Sequence, residues 1–256
     1  MKCIKLNIKI FMILSIICII LLVVTIINSN NKKSYNNYNL EEIKIYEETC
    51  EEEEIDDFLL KKYQEKKLIA LTFDDGPSKY TSVLLDILND KNAKATFFLI
   101  GDNIKNNKNI VKKIYENNNE IGIHSYIHKL FTRINDEEIH EQIELTRSEI
   151  LEIINYPISL IRVPYGSLSD RVLNVIDNEN LTSVLWDIDS LDWKFKNKDK
   201  IYNYVLKKIK GNQIILMHDT YKTSIEAVKE LIDTLNKKGY IFITVSELLE
   251  LKKCYQ

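Results

Sequence analysis

Between Glu51 and Lys253 the chain has no cysteine; the four it carries are Cys3, Cys18, Cys50 and Cys254. A folded region there can hold neither an internal disulfide nor a thiolate metal site; Cys50 and Cys254 at its two ends could pair in an oxidising exterior, and the reading preferred is two free thiols. Proline and glycine are scarce, three and six of 256 residues, in a chain that is 45% hydrophobic. That composition suits a globular protein. Basic residues are in no excess, 35 against 38 acidic for a net charge of −3, so nothing in the overall charge invites nucleic acid. No segment repeats, no obligate protein partner is evident, and no HExxH stretch offers the helix of a zinc peptidase.

Charge is missing from one long run. IFMILSIICIILLVVTII, Ile10 to Ile27, follows Lys2, Lys5 and Lys9 and carries none. At about 1.5 Å per residue it spans roughly 27 Å, enough for a hydrocarbon layer. Neither an A-x-A cleavage pattern nor a small residue before Cys18 marks a removable leader. Residues 1–28 are therefore expected to be an uncleaved transmembrane anchor with the amino terminus inside, which places the remainder outside the cell membrane. Residues 29–66 include the acidic EETCEEEEIDD and read as a solvated, self-repelling spacer. The folded domain is expected over 67–256, long enough to bury a core without staples.

From Lys67 apolar, strand-like runs alternate with helical spacing. The runs are 68–73, 95–100, 120–124, 160–163, 182–186, 213–217 and 240–244. Between them, Ile139, Ile143, Ile150 and Ile154 line one helical face, Gly239 ends a helix over 224–238, and Thr244 to Glu247 reads as a capping box. Seven strands separated by helices imply a parallel α/β fold, either a barrel or an open sheet.

Polar residues collect where those strands end. Asp74 and Asp75 follow the first, His124 and His128 the third, and Arg162 and Tyr165 the fourth. Asp189, Asp192 and Trp193 follow the fifth, His218 and Asp219 the sixth. Carboxyl ends of parallel strands share one rim, so these clusters are expected to meet. Histidines four apart face the same way on a helical turn and suit one metal ion, though alone the pair carries little weight. Asp75 on the same rim completes three ligands and leaves a fourth position open. With Asp75 neutralised by a cation, Asp74 stays ionised and free to take a proton from water. Arg162 is expected to pair bidentately with Asp74, and His218, charged beside a carboxylate such as Asp192, can protonate a leaving nitrogen. His140 sits among charges on a helix and receives no role.

Five motifs in this order, TFDDG (72–76), HSxxH (124–128), RxPY (162–165), DSxDW (189–193) and LMH (216–218), resemble the polysaccharide deacetylases of carbohydrate esterase family 4, the NodB-homology domain. The resemblance covers about Leu68 to Leu251. It implies a distorted (β/α)7 barrel and hydrolysis of an N-acetyl group on a sugar, releasing acetate and an amine. It also implies that Asp74 is the base and that Asp75, His124 and His128 hold Zn2+ or another divalent metal such as Co2+. Arg162 would orient Asp74, Asp192 would tune the acid His218, and the Tyr165 N–H would stabilise the oxyanion. Trp193 and Leu216 would line the acetyl pocket.

An outward-facing domain meets the cell wall first, so the expected substrate is N-acetylglucosamine in the glycan strand of peptidoglycan. Chitooligosaccharide, another exported glycan or acetylated xylan would use the same catalytic set. Two rivals stand beside this: a catalytically dead relative that only grips glycan, and another zinc hydrolase such as an amidase.

Overall fold

The computed structural model describes residues 62–63 and 66–254. The expected anchor (1–28) and nearly all of the expected spacer (29–66) lie outside these. Among the described residues no helix is long and apolar enough to cross a membrane.

Strand β1 (Lys67–Gly76) is followed by helix α1 (Thr81–Asp90), β2 (Ala95–Leu99), α2 (Gly101–Ile104), α3 (Lys108–Glu116) and β3 (Glu120–Ile123). Then come α4 (Asp136–Leu151), β4 (Leu160–Ile161), α5 (Asp170–Asn178), β5 (Thr182–Ser183) and β6 (Ile188–Asp189). Helices α6 (Asp192–Phe195) and α7 (Lys198–Lys208), β7 (Gln213–His218), α8 (Lys222–Lys237), β8 (Tyr240–Phe242) and α9 (Val245–Cys254) complete the order. All strand pairings are parallel, in the order β5-β4-β3-β2-β1-β7-β6, with β8 also paired to β1.

The sheet curls without closing. Among the described residues no ladder joins β5 to β6, so the architecture is a half-barrel version of the barrel expected. The strand count also needs correction: β6 is an eighth strand. It comprises two residues, Ile188 and Asp189, too few to show as an apolar run, whereas the TSVLW stretch contributes only Thr182 and Ser183 to the ladder.

Alternation along each strand sorts the side chains into two cores. Ile69, Leu71 and Phe73 of β1 face the helices, in one cluster with Leu84, Leu85 and Leu88 of α1 and Ile139, Ile143 and Ile150 of α4. Leu68 and Ala70 face the other way, into the curl, with Phe98, Leu160, Val184 and Ile214. Continuing that inner phase toward the carboxyl ends gives Thr72 and Asp74 on β1, His124 after β3, Arg162 after β4, and Leu216 and His218 on β7. The same pattern that packs the interior therefore aims these side chains at its mouth. Gly122 belongs to this inner phase, and a Cβ there would lie 2.6 Å from the Phe98 ring.

Both expected helix boundaries of the carboxyl-terminal region hold. Gly239 takes a φ of 79° just beyond α8, and Thr244 and Glu247 exchange backbone and side-chain hydrogen bonds at the start of α9.

Candidate active site

Neighbouring residues on a strand point to opposite faces, yet Asp74 and Asp75 both reach the mouth of the curl. The register of β1 against β2 shifts between Asp74 and Gly76, and Asp75 takes a φ of 70°. This bulge turns Asp75 inward beside its neighbour, a left-handed conformation that aspartate tolerates better than most residues. The bend is held from one side by the Asn103 side-chain amide, which donates to the Asp75 carbonyl at 2.9 Å, and by the Ile100 N–H on the Gly76 carbonyl.

The two histidines come together differently from expectation. Residues 124–130 form no helical turn: Ser125 and His128 have φ of 65° and 58°, and the loop doubles back to bring the rings to 5.0 Å. The cause is a partner distant in sequence. The buried Gln142 carbonyl on α4 accepts the N–H groups of Tyr126 and Ile127, and the Ser125 hydroxyl accepts that of His128. His124 Nδ1 lies 2.6 Å from the Arg162 carbonyl oxygen. That oxygen can only accept, so Nδ1 carries the hydrogen and Nε2 presents a bare lone pair. Burial, first of all, holds His128 below its usual pKa, which favours its neutral form.

Three acceptor atoms thereby face one another. Asp75 Oδ1 is 3.5 Å from His124 Nε2 and 3.4 Å from His128 Nε2. The three ligand atoms all lie within 4.8 Å of one another, and buried Asp75 Oδ1 has no hydrogen-bond partner. An orphaned carboxylate oxygen opposite two imidazole nitrogens asks for a shared cation. Zinc bonds of about 2.0–2.1 Å in tetrahedral array set ligand atoms about 3.3 Å apart, so the spacing fits a divalent metal.

Asp74 is only 2% exposed and sits just outside this triangle, with Oδ2 3.8 Å from His124 Nε2. Arg162 Nη1 donates to its Oδ1 at 2.8 Å and to Thr72 Oγ1 at 2.6 Å. The pair is not bidentate as expected, because Nη2 and Nε are taken by the carbonyls of Leu185 and Val184. Burial pulls the guanidinium pKa down while Asp74 pulls it back. The guanidinium also lies 4.2 Å from the Phe98 ring centroid, closing the floor of the mouth.

His218 Nδ1 bonds Asp192 Oδ1 at 2.8 Å. Asp192 is fully buried, and its Oδ2 also accepts the His218 N–H and the Ser224 hydroxyl. Burial opposes the charged imidazole. The bond and charge of Asp192, with Asp74 and Asp75 behind it, more than offset that and lift His218 to about 9.

Asp74, Asp75, His124, His128 and His218 line a cavity of about 370 Å³ that includes Tyr165, Trp193 and Leu216, while Arg162 and Asp192 are buried behind them. Tyr165 has a φ of 62° and packs edge-on against His128 at 4.6 Å. Trp193 is 47% exposed at the rim, and Leu216 is buried beneath it on β7. A larger cleft of about 690 Å³ opens at the amino-terminal ends of the strands. Its acids are already engaged, Glu120 by the N–H groups of Val245 and Ser246 and Glu247 by Lys94, so the chemistry belongs to the smaller cavity.

All ten sequence-predicted site residues converge here. Two neighbours of the site do local work: Trp186 packs beside Arg162, and Asp189 caps the Leu191 N–H at 2.7 Å. Gln142 was missed, and Asp219, placed on the rim beside His218, was given no role. Gln142 reads as an ordinary helix residue. Asp219 is wholly buried, and burial first of all pushes it up to about 7 against the opposing Thr81 bond.

Residues 61–184 match the family described as polysaccharide deacetylase. The peptidoglycan-N-acetylmuramic acid deacetylase PdaC of Bacillus subtilis is 38% identical over 189 residues, covering 73% of this chain and 40% of PdaC. A peptidoglycan-N-acetylglucosamine deacetylase of Bacillus cereus is 36% identical over 193 residues, covering 73% of this chain and 70% of that protein. The solved structure of B. subtilis PdaC superposes with a TM-score of 0.71 at 38% identity, over 75% of this chain and 94% of the solved chain. This chain thus spans less than half of PdaC's full length but nearly all of the part solved. Likeness in sequence and in backbone extends over about three quarters of the chain, and the chain belongs to the polysaccharide deacetylase family.

Proposed function

We propose that the protein is a metal-dependent N-deacetylase that removes acetyl groups from N-acetylglucosamine residues of peptidoglycan. The observation that carries this is the acceptor triangle of Asp75, His124 and His128, with Asp74 held by Arg162 just outside it. Two imidazoles and a carboxylate suit Zn2+, and Co2+ can take the same place. When bound, such a cation supplies Lewis acidity, polarising a carbonyl and lowering the pKa of water.

The remaining steps fall to the chain's own groups. Arg162 occupies Asp74 Oδ1, so Oδ2 is the atom that takes a proton as water adds to the amide carbon. The Tyr165 N–H lends a hydrogen bond to the oxyanion that develops. His218, held charged by Asp192, passes its Nε2 proton to the amide nitrogen as the C–N bond breaks. Acetate and a free amine result. Trp193 and Leu216 enclose the acetyl methyl and keep bulk water from it.

The names of the relatives support a peptidoglycan substrate, and the charge-free run Ile10 to Ile27 supports a membrane anchor with this domain facing the wall. Acetate release from purified peptidoglycan tests the reading. Chelation should abolish release and added Zn2+ restore it. Release that persists through chelation contradicts the metal role, and release only from chitooligosaccharide or acetylated xylan contradicts the substrate.

A further inference from the structure

The metal ligand Asp75 occupies a strained bend, and Asn103 and Ile100 account for only one side of it. On the other side stands Asp219, which has no part in the chemistry above. Its carboxyl group is fully buried. Oδ2 accepts a hydrogen bond from the Thr81 hydroxyl, while Oδ1 has no donor. Thr81 Oγ1 in turn accepts the Ser78 N–H at 2.7 Å, and the Ser78 hydroxyl donates to the Asp219 carbonyl at 2.7 Å. Ser78 and Thr81 belong to the stretch that leads from Asp75 into α1, so two hydrogen-bonded paths tie that stretch to the end of β7. Gly76 lies directly against the carboxyl: a Cβ there would fall 2.6 Å from Oδ2 and 3.0 Å from Oδ1. No side chain larger than hydrogen fits between Asp219 and the backbone that follows Asp75. A buried acid with one oxygen unsatisfied costs stability wherever it sits, and this one sits where it fixes the turn carrying a ligand.

We propose that Asp219 is a positioning residue for Asp75, clamping the Asp75–Thr81 turn from behind through Thr81, Ser78 and its contact with Gly76. The inference rests on the reading of Asp75 as a metal ligand. It predicts that the clamp acts on metal affinity and ligand geometry, through hydrogen bonding and shape rather than through charge.

The test is a Co2+ titration of the full chain against a chromophoric chelator, with the visible absorption of bound Co2+ recorded, for wild type, Asp219→Ala, Asp219→Asn and Thr81→Val. Loss of an outer-shell support typically weakens metal binding about 10- to 100-fold, and that loss, with shifted absorption bands, is expected for Asp219→Ala and Thr81→Val. Asp219→Asn retains an acceptor for Thr81 and should stay within about threefold of wild type. Native affinity and native bands in Asp219→Ala and Thr81→Val overturn the proposal. So does an Asp219→Asn variant that loses as much as Asp219→Ala. Should Asp219→Ala fail to fold, as judged by its far-ultraviolet circular dichroism, Thr81→Val decides alone. A wild-type chain that takes up no Co2+ overturns the ligand reading itself, whereas wild-type uptake with unchanged variants overturns only the clamp.

Discussion

Replacing Arg162 by methionine keeps an unbranched stem against Phe98 and removes the cation at the floor of the cavity. Arg162 is fully buried and donates to Asp74, Thr72, Val184 and Leu185, so four acceptors lose a partner at once. The heaviest loss is the Asp74 carboxylate, only 2% exposed and left charged without its counter-ion. Removing one member of a buried ion pair typically costs about 3–5 kcal/mol. A domain of this size moves by about 2–4 °C per kcal/mol, so Tm should fall by about 6–20 °C. Thermal unfolding followed by circular dichroism in chelator reads this without any contribution from metal. Asp74→Asn in the same background then removes the stranded charge. The double variant should be more stable than the sum of the two single losses by about 1–3 kcal/mol. Losses that add to within about 0.5 kcal/mol would show that the guanidinium is merely packing, and would refute its role as the counter-ion that orients the base.

Other outcomes follow from neighbouring contacts. Asp192→Asn removes the anion that orients and charges His218, so kcat should fall by about 10²- to 10⁴-fold while Co2+ affinity stays native; steady-state kinetics beside a metal titration check this. His124→Ala removes one of three ligands and should abolish Co2+ uptake by absorption titration, leaving the fold intact by circular dichroism. Far from the site, exposed His140 bonds Glu179, and that bond raises its pKa. A raised histidine pKa stabilises in full below about pH 6.5 and is lost as pH rises past the folded value. His140→Gln should therefore lower Tm by about 1–3 °C at pH 5.5 and leave it unchanged at pH 10, the size expected of a surface pair.

The sequence made the rim legible because strand alternation and polar strand ends are local signals. Asp74, His124, Arg162 and His218 continue the inner phase of apolar strands, and each lies within a few residues of its run. What it hid depends on partners far along the chain. Helical spacing between His124 and His128 was misleading because Gln142, on α4, shapes that loop together with Ser125 inside it. Arg162 was expected to grip Asp74 with both nitrogens, but carbonyls at 184 and 185 claim the rest of the fork. β6 escaped notice because two residues leave no periodicity to read. Asp219 showed its place at a strand end but not its work, because Thr81, its hydrogen-bond partner, is 138 residues away.

The division of labour between two adjacent aspartates is the centre of the account, and Asp74→Asn tests it most directly. Metal content and acetate release from peptidoglycan are measured on the same preparation of the full chain. The variant is predicted to bind one Zn2+ as the wild type does and to release no acetate. A variant that releases acetate at the wild-type rate, or one that is inactive because it has lost its metal, contradicts the assignment.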